Sequence, residues 1–347
     1  MKLRPRLIAL VVCAAVLLLL PRVARAWNDT GHMIVARLAW QQFTDDERRE
    51  VVAILKAHPH YEVYLSRNRP ERVGEAEWSF LRAAVWADFI RPARPGSEAE
   101  LFKGLEITRF HRDSWHYIDV PWVPPVDRKT IDPTTLPSRT PETTSATTAP
   151  AEPQNVLEAL DYNNKLLGGR DIAAAERAVA LTWISHLIGD LHQPLHACSV
   201  YSTAFPTGDR GGNEEAVRAN GAVVRLHGYW DSALGTSDGY DAVVFLARLI
   251  ADDPALAVAK LTELAEDESF TSWMNESHAF AIALVHLNGR LKSAVYASYD
   301  AQQITADEVP PLPASYDANA RDVSQRRVAL AGHRLAATVK AALAAEK

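Results

Sequence analysis

Histidine and aspartate recur at helical spacing in two short stretches of this 347-residue chain. His186 and Asp190 are four residues apart, and His227 and Asp231 repeat that spacing. Because a helix stacks residues four apart on one face, each pair could offer an imidazole and a carboxylate to one ion. One such pair alone is more often a solvated helix face than a ligand pair, but a further histidine, His196, follows the first pair. Imidazole and carboxylate donors without thiolates favour zinc over copper(I) or an iron–sulfur cluster.

A proline separates His196 from the first pair. Pro194 lacks a backbone N–H, so it should end or bend the helix and redirect His196. Ligands carried by several helices would place the site inside a helical bundle.

The elements that must position these residues are mostly helical. Apolar residues at helical spacing predict helices over 75–90, 155–168, 172–193, 241–265, 277–296 and 322–345. Thr44, followed by acidic residues, predicts a helix N-cap. Residues 222–226 predict one arm of a short hairpin. The helix over 322–345 is interpreted as a packing helix.

Two segments are interpreted as irregular. Residues 121–154 are rich in Pro, Thr and Ser, which predicts a surface insertion within one domain rather than a domain boundary. Residues 199–224 contain several glycines and predict a long loop with hairpin character.

The first 26 residues have the features of a signal peptide. Basic residues open the chain, an apolar run covers 7–20, and Ala24-Arg25-Ala26 fits the cleavage rule. We therefore expect 1–26 to be removed, 27–347 to form a single domain, and the mature protein to be secreted or periplasmic without membrane contact. An uncleaved membrane anchor is the alternative.

Charge and cysteine content restrict the class of protein. Removal of five cationic side chains with residues 1–26 would take the formal charge from −6 to −11, which gives no sign of a duplex-wrapping DNA-binding protein. Cys198 would be the one remaining cysteine, so an internal disulfide is excluded and stability must come from the core, from metal or from both.

Taken in order, the motifs of residues 27–231 resemble those of the secreted single-strand-specific zinc nucleases of the S-one/P-one type, whose fold is shared with bacterial zinc-dependent phospholipase C. The matching motifs are Trp27 with His32, W-A-D-x-I-R over 86–91, H-Y-x-D over 116–119, H-x-x-G-D-x-H-Q-P-L-H over 186–196, G-G-N over 211–213 and L-H-x-x-W-D over 226–231. The resemblance implies an all-α fold, a multi-helix bundle with a trinuclear zinc cleft and a short β-hairpin.

The resemblance also implies a ligand set for three zinc ions. Asp88, His116, His186 and Asp190 would hold the first ion, and His196, His227 and Asp231 the second. The free amine and carbonyl of Trp27, together with His32 and Asp190, would hold the third, with Asp190 as a bridge. Signal cleavage immediately before Trp27 would then be linked to metal loading.

The activity that the resemblance implies is hydrolysis of phosphodiesters in single-stranded DNA and RNA, giving 5′-phosphate products, with 3′-nucleotidase activity. Zinc would activate water and screen the phosphate charge, and Arg91 would clamp the phosphate oxygens, with Asp88 and Asp190 completing the catalytic set. Tyr117 would stack on a base while Asp119 and Asn213 bind its edge, which requires unpaired bases. We expect single-stranded nucleic acid and 3′-nucleotides as partners, no stable protein partner, and a monomer.

Two other functions fit the same residues less well. A phospholipase C-like phosphoesterase predicts Glu instead of Asp231 and a longer interval between Trp27 and His32. A non-catalytic, zinc-stabilised helical binding protein would not need Arg91 or a bridging carboxylate.

Several histidines lie outside the motifs' ligand set. His192 is interpreted either as a donor to a ligand carboxylate or as a hydrogen-bonded core residue. The remaining histidines show no ligand pattern and are interpreted as surface or core residues; they are His58, His60, His111, His278, His286 and His333.

Overall fold

The structure, a computed structural model, describes residues 27–91, 107–137, 152–265 and 269–345. The predicted signal peptide and residues 138–151 of the predicted insertion lie outside this range. Helix accounts for 59% of the structure and strand for 6%, so the predicted all-α class is confirmed.

The helices and strands follow in chain order. The α-helices are α1 Asp29–Gln42, α2 Asp45–Lys56, α3 Glu75–Ala83, α4 Trp86–Phe89, α5 Val156–Leu167, α6 Ala174–Leu191, α7 Leu226–Asp231, α8 Tyr240–Ala251, α9 Phe270–Phe280, α10 Tyr296–Asp300 and α11 Tyr316–Ala345. Strand β1 (Pro121–Trp122) pairs in parallel with β2 (Ser199–Val200). Strand β3 (Glu215–Ala219) lies between β4 (Ala222–Arg225) and β5 (Ala294–Val295) and is antiparallel to both.

The predicted N-cap and hairpin arm are confirmed. Thr44 accepts a hydrogen bond from the Glu47 backbone N–H, while the Glu47 carboxylate accepts one from the Thr44 backbone N–H. The β3–β4 hairpin turns at Asn220 and Gly221, which both have positive φ angles.

Three predicted helices are shorter or divided. The region 241–265 ends its α-helix at Ala251, because Pro254 cannot continue the helical hydrogen bonding. The region 277–296 begins earlier, at Phe270, and passes through a π-helical turn (Ala281–Val285) before the positive φ angles of Leu287 and Asn288 end it. The region 75–90 is divided into α3 and α4.

The core is organised around α6, which is buried on nearly all sides from Ala178 to Leu191. Helix α11 packs along α1. A Cβ at Gly332 would lie 2.6 Å from the Cβ of Leu38, so glycine permits this close approach. Because α6 runs through the core, its polar residues His186 and Asp190 are completely buried.

The structure differs from the sequence prediction at the beginning of 121–154. Trp122 and Val123 are buried, with 8% and 2% of their surfaces exposed, rather than part of a surface loop. The backbone here is held by the parallel pairing of β1 with β2, where Tyr201 N–H donates to the carbonyl of Trp122. The Pro-, Thr- and Ser-rich composition of 121–154 gave no indication of this short buried strand.

Candidate metal centre

The first cluster of polar side chains lies at the C-terminal end of α6. His186 Nε2 lies 3.2 Å from Asp190 Oδ2, and His116 Nδ1 lies 3.0 Å from the same oxygen. On the other side, His32 Nε2 lies 3.3 Å from Asp190 Oδ1, and the rings of His32 and His186 are stacked with centroids 3.9 Å apart. One oxygen of Asp190 therefore faces His186 and His116 and the other faces His32, which is the arrangement expected of a bridging carboxylate.

Asp88 adds a second carboxylate to this cluster. Its Oδ1 lies 3.9 Å from His186 Nε2, and Asp88 is brought here by the short helix α4. Arg91 Nη2 lies 2.9 Å from the same oxygen, with the Arg91 side chain 23% exposed. Arg91 thus lies at the edge of the cluster and pairs with Asp88 in this structure.

The second cluster combines residues from both sides of Pro194. As predicted, α6 ends before this proline, which begins the 3₁₀ turn Pro194–Ala197 that carries His196. His227 Nε2 lies 3.5 Å from Asp231 Oδ2 across one turn of α7, and the rings of His196 and His227 have centroids 5.0 Å apart.

Backbone carbonyls orient three of these imidazoles. The Nδ1 atoms of His186, His196 and His227 donate to the carbonyls of Ala84, His116 and Gly211, at 2.7, 2.6 and 2.6 Å respectively. In the neutral ring, each bond favours the tautomer whose Nε2 atom carries the lone pair, as is usual for histidine that binds a metal; at His186 this Nε2 atom lies 3.0 Å from Nδ1 of His116.

Many buried polar atoms of the two clusters have no partner in hydrogen-bond geometry, although Asp88 Oδ1 lies near Arg91 and His32 Nε2 lies near Asp190 Oδ1. They are both ring nitrogens of His32, both carboxylate oxygens of Asp88, Nε2 of His116 and His196, Oδ1 of Asp190 and Oδ2 of Asp231. Leaving such atoms unsatisfied costs about 1–3 kcal/mol each, so their convergence indicates a ligand. Three groups have ligand atoms within 4.8 Å of one another: His32, His186, Asp190; Asp88, His116, His186; and His196, His227, Asp231. These donor sets fit zinc.

The electrostatics of the carboxylates also favour a cation. Burial, with the nearby carboxyls of Asp88 and Asp190, raises the pKa of Asp231 well above its usual range. Burial opposes ionisation of Asp190 too, but His186 and His196 lower its pKa well below the usual range. A bound cation would stabilise all three carboxylates in their charged form.

The first residues of the described chain lie against this site. Trp27 is completely buried, and the N–H of Asn28 donates to the carbonyl of Asp231 (3.2 Å). A Cβ at Gly31 would lie 2.8 Å from the Cβ of Trp27, so the chain folds back tightly here. Trp27 therefore lies one residue from a backbone contact with the second cluster.

The predicted base-binding residues lie beside the clusters in sequence but are more exposed. Tyr117 directly follows His116 in extended backbone and is 36% exposed, whereas Ile118 is buried. Half-buried Asp119 lies two residues after Tyr117, at the centre of a tight turn in which the N–H of Val120 donates to the carbonyl of Ile118 (2.9 Å). Half-buried Asn213 donates from its side chain to the carbonyl of Arg210.

Sequence reasoning gave no role to two residues that contact the site. Gln193 is completely buried and donates from Nε2 to Asp231 Oδ1 (2.7 Å), while its Oε1 accepts from the N–H of Leu195 (2.5 Å). At Gly189, a Cβ would lie 2.8 Å from Nδ1 of His32, so glycine is required for that ring. Both residues lie inside the motif over 186–196, and that position was the sequence feature that could have indicated a role at the site.

His192 is a core residue. Its Nδ1 donates to the carbonyl of Ile188 (2.7 Å), and its Nε2 accepts from Arg334 (2.9 Å). His58 and His60 are also buried, next to Trp86, whose indole N–H donates to Nδ1 of His60 (3.1 Å).

This combination defines a class: an all-α protein with a buried polynuclear metal centre of histidine and aspartate. Sequence comparison identifies the family, because the S1/P1 Nuclease family matches residues 27–344. The chain belongs to the S1/P1 nuclease family, as its motifs predicted. This membership makes it a nuclease that hydrolyses phosphodiester bonds of nucleic acids, in a family that depends on zinc. No curated protein matched the chain.

Within the described ranges, no helix has both the length and the apolar character needed to cross a membrane.

Proposed function

We propose that the chain, processed to begin at Trp27, is a secreted or periplasmic zinc-dependent endonuclease of single-stranded DNA and RNA that gives 5′-phosphate products and removes 3′-phosphates from nucleotides. The observation that carries the proposal is the set of buried, unpartnered histidine and aspartate atoms that converge next to exposed Tyr117.

The residues named by the family motifs would hold three zinc ions. Asp88, His116, His186 and Asp190 would hold one, His196, His227 and Asp231 a second, and the amine and carbonyl of Trp27 with His32 and Asp190 a third. When bound, zinc supplies charge that neutralises a phosphodiester and lowers the pKa of water towards neutrality. The opposite-facing contacts of the two Asp190 oxygens support its role as the shared ligand.

The protein's own groups orient the substrate. Arg91 is 23% exposed at the edge of the first cluster and carries a planar guanidinium suited to bidentate contact with phosphate oxygens. We propose that Arg91 exchanges its contact with Asp88 for the phosphate once a cation neutralises that carboxylate.

Base recognition would depend on one exposed aromatic ring. Stacking of a base on Tyr117 contributes about 1–3 kcal/mol and tolerates any base, because every base has a π face. Asp119 and Asn213 would bind the base edge. Since a base inside a duplex is already stacked on both faces, this mode favours single strands, and it needs no basic track across a chain of net negative charge.

The test uses protein that begins at Trp27. Single-stranded DNA, RNA, a matched duplex, 3′-AMP, 5′-AMP and phosphatidylcholine are assayed with and without chelator and added zinc, and product ends are mapped. We expect cleavage of single strands to products with 5′-phosphate ends, and release of phosphate from 3′-AMP but not from 5′-AMP. Chelator should abolish these activities, and added zinc should restore them. Cleavage of phosphatidylcholine without cleavage of nucleic acid would overturn the proposal in favour of a phospholipase C-like enzyme.

A variant pair separates the proposed roles. Tyr117→Ala should raise KM for single strands with a smaller effect on kcat, since the ring is proposed to bind the base and not the reacting phosphate. Asp190→Asn should abolish activity and reduce the content of more than one zinc ion. Full zinc occupancy in Asp190→Asn would refute the shared-ligand role.

A further inference from the structure

A fourth convergence of ligand-type residues lies outside the centre described above. Asp209, Glu215 and His286 each offer one potential ligand atom within 4.8 Å of the others. All three are buried, with 0%, 4% and 4% of their surfaces exposed. No family motif quoted above includes Glu215 or His286, and the sequence gave His286 no ligand pattern.

The three residues come from separate segments that meet behind the second cluster. Asp209 lies in the loop between β2 and β3, Glu215 begins β3 opposite Val295 of β5, and His286 follows the π-helical turn Ala281–Val285. Contact among them therefore joins the loop, the small sheet and the end of the α9 region.

Backbone donors hold the Asp209 carboxylate in one orientation. Its Oδ1 accepts from the N–H of Val200 (2.7 Å), and its Oδ2 accepts from the N–H of Gly212 (2.8 Å). The hydroxyl of Ser199 also donates to Oδ1 (3.3 Å), so both lone pairs of Oδ1 are used and Oδ2 is the oxygen that keeps a lone pair for an ion.

His286 is the observation that points to a ligand. Its Nδ1 lies 3.6 Å from Glu215 Oε1, which is longer than a hydrogen bond, and its buried Nε2 has no hydrogen-bond partner. The ring is stacked near Trp122, with centroids 5.8 Å apart. With ligand bonds of about 2.0–2.2 Å, one ion could contact both Nδ1 of His286 and Oε1 of Glu215 across this 3.6 Å separation.

In the part of the chain that the structure describes, no Lys or Arg side chain neutralises the cluster; a hydrogen bond between the carboxyls of Asp209 and Glu215 requires a shared proton, which a bound cation would replace. Among the ion pairs of the described chain, neither Asp209 nor Glu215 contacts a Lys or Arg side chain. Burial raises the pKa of Asp209 to about 6, and burial together with Asp209 raises the pKa of Glu215 well above its usual range. Buried carboxylates normally pair with cations or coordinate metals.

We propose that Asp209, Glu215 and His286 bind a divalent metal ion, with zinc as the best match to two carboxylates and one imidazole, in addition to the ions of the candidate metal centre. Its role is structural. The same loop carries Gly211, whose carbonyl orients His227, so an ion at Asp209 would stabilise the backbone that positions the second cluster.

The direct test locates the metal in crystals of the chain that begins at Trp27, grown with zinc, by anomalous diffraction above and below the zinc edge. We expect a peak among Asp209, Glu215 and His286, separate from those at His32, Asp190 and His227. Absence of that peak while the main centre is occupied would overturn the proposal. The carboxyls of Asp209 and Glu215 would then share a proton instead of binding an ion. The opposite result, a peak here with none at the main centre, would refute the proposed function alone.

Metal counting gives an independent test. Glu215→Gln and His286→Gln should each lose one zinc equivalent by elemental analysis and unfold at lower temperature, while the zinc at the main centre is kept. Glu214→Gln is the matched control, because the adjacent Glu214 is half-buried and pairs with Arg210. Unchanged zinc content in folded Glu215→Gln would contradict the proposal.

Discussion

Gln193 offers the sharpest test of how the second cluster is held. The side chain is completely buried, donates to Asp231 Oδ1 and accepts from the N–H of Leu195. Gln193→Leu keeps a side chain of similar size and removes both hydrogen bonds. Asp231 would keep its place in the chain but lose the group that turns Oδ2 towards His227.

The expected magnitude follows from the groups left behind. An Asp231 oxygen and a Leu195 N–H would be buried without partners, at a cost of about 1–3 kcal/mol each. Removing a hydrogen-bond partner of a metal ligand weakens metal binding by about 10–100-fold. That loss corresponds to about 1.4–2.7 kcal/mol, so the effects on stability and on metal affinity should be similar in size.

The assay is a zinc titration against a competing chelator, with kcat measured at limiting and at saturating zinc. Gln193→Leu should bind one zinc about 10–100-fold more weakly and recover much of its activity in excess zinc. Gln42→Leu is the control, because Gln42 also loses amide hydrogen bonds, to the carbonyls of Leu38 and Gly332 and with Nδ1 of His333, without contacting a residue of either cluster. Zinc affinity of Gln193→Leu equal to that of the unsubstituted protein would refute the positioning role.

Three further predictions concern the same structure. Gly189→Ala should lower zinc content and activity by about tenfold or more, because the added Cβ would lie 2.8 Å from Nδ1 of His32. Gly228→Ala is the control and should be neutral, because no atom lies within 4 Å of its added Cβ. Equal zinc content in the two variants would contradict this reasoning. In the folded protein, burial lowers the pKa of His58 to about 3, compared with 6.5 for the ordinary side chain. As the pH falls below 6.5, His58 is therefore protonated in the unfolded state while it stays neutral in the folded state. The free energy of unfolding of the zinc-free protein should therefore fall by up to about 1.4 kcal/mol per pH unit from this residue as pH falls from about 6.5 towards 3, and urea titrations of His58→Gln should show a shallower dependence. Finally, an N-terminal extension before Trp27 should reduce zinc content and activity relative to protein that begins at Trp27, and an equally active extended protein would count against Trp27 as a ligand.

Much of the candidate site could be predicted because its residues lie in short ordered motifs. The spacing of His186 and Asp190 favoured a helix, and Pro194 was expected to end or bend that helix and redirect His196, because proline lacks the backbone N–H that a helix needs. The convergence of distant motifs followed from the family resemblance and not from spacing.

Other features could not be predicted because their causes are not local in sequence. The length of the helix predicted over 241–265 was wrong, because the apolar residues keep helical spacing beyond Ala251, where the α-helix ends shortly before Pro254. The burial of Trp122 depends on pairing with a strand almost 80 residues later. The requirement for glycine at 189 becomes visible only when the ring of His32, from another helix, lies against it.

The main-chain carbonyls that hold His186, His196 and His227 have an evolutionary consequence. At position 84, a substitution that fits the buried site and keeps the backbone path would present the same acceptor to His186. The other two positions allow less variation, because His116 belongs to the first cluster and a Cβ at Gly211, where φ is +63°, would lie 2.5 Å from the carbonyl oxygen of Leu195. Ligand orientation in this protein is therefore sensitive to whatever shifts the chain itself, even where no side chain supplies the hydrogen bond.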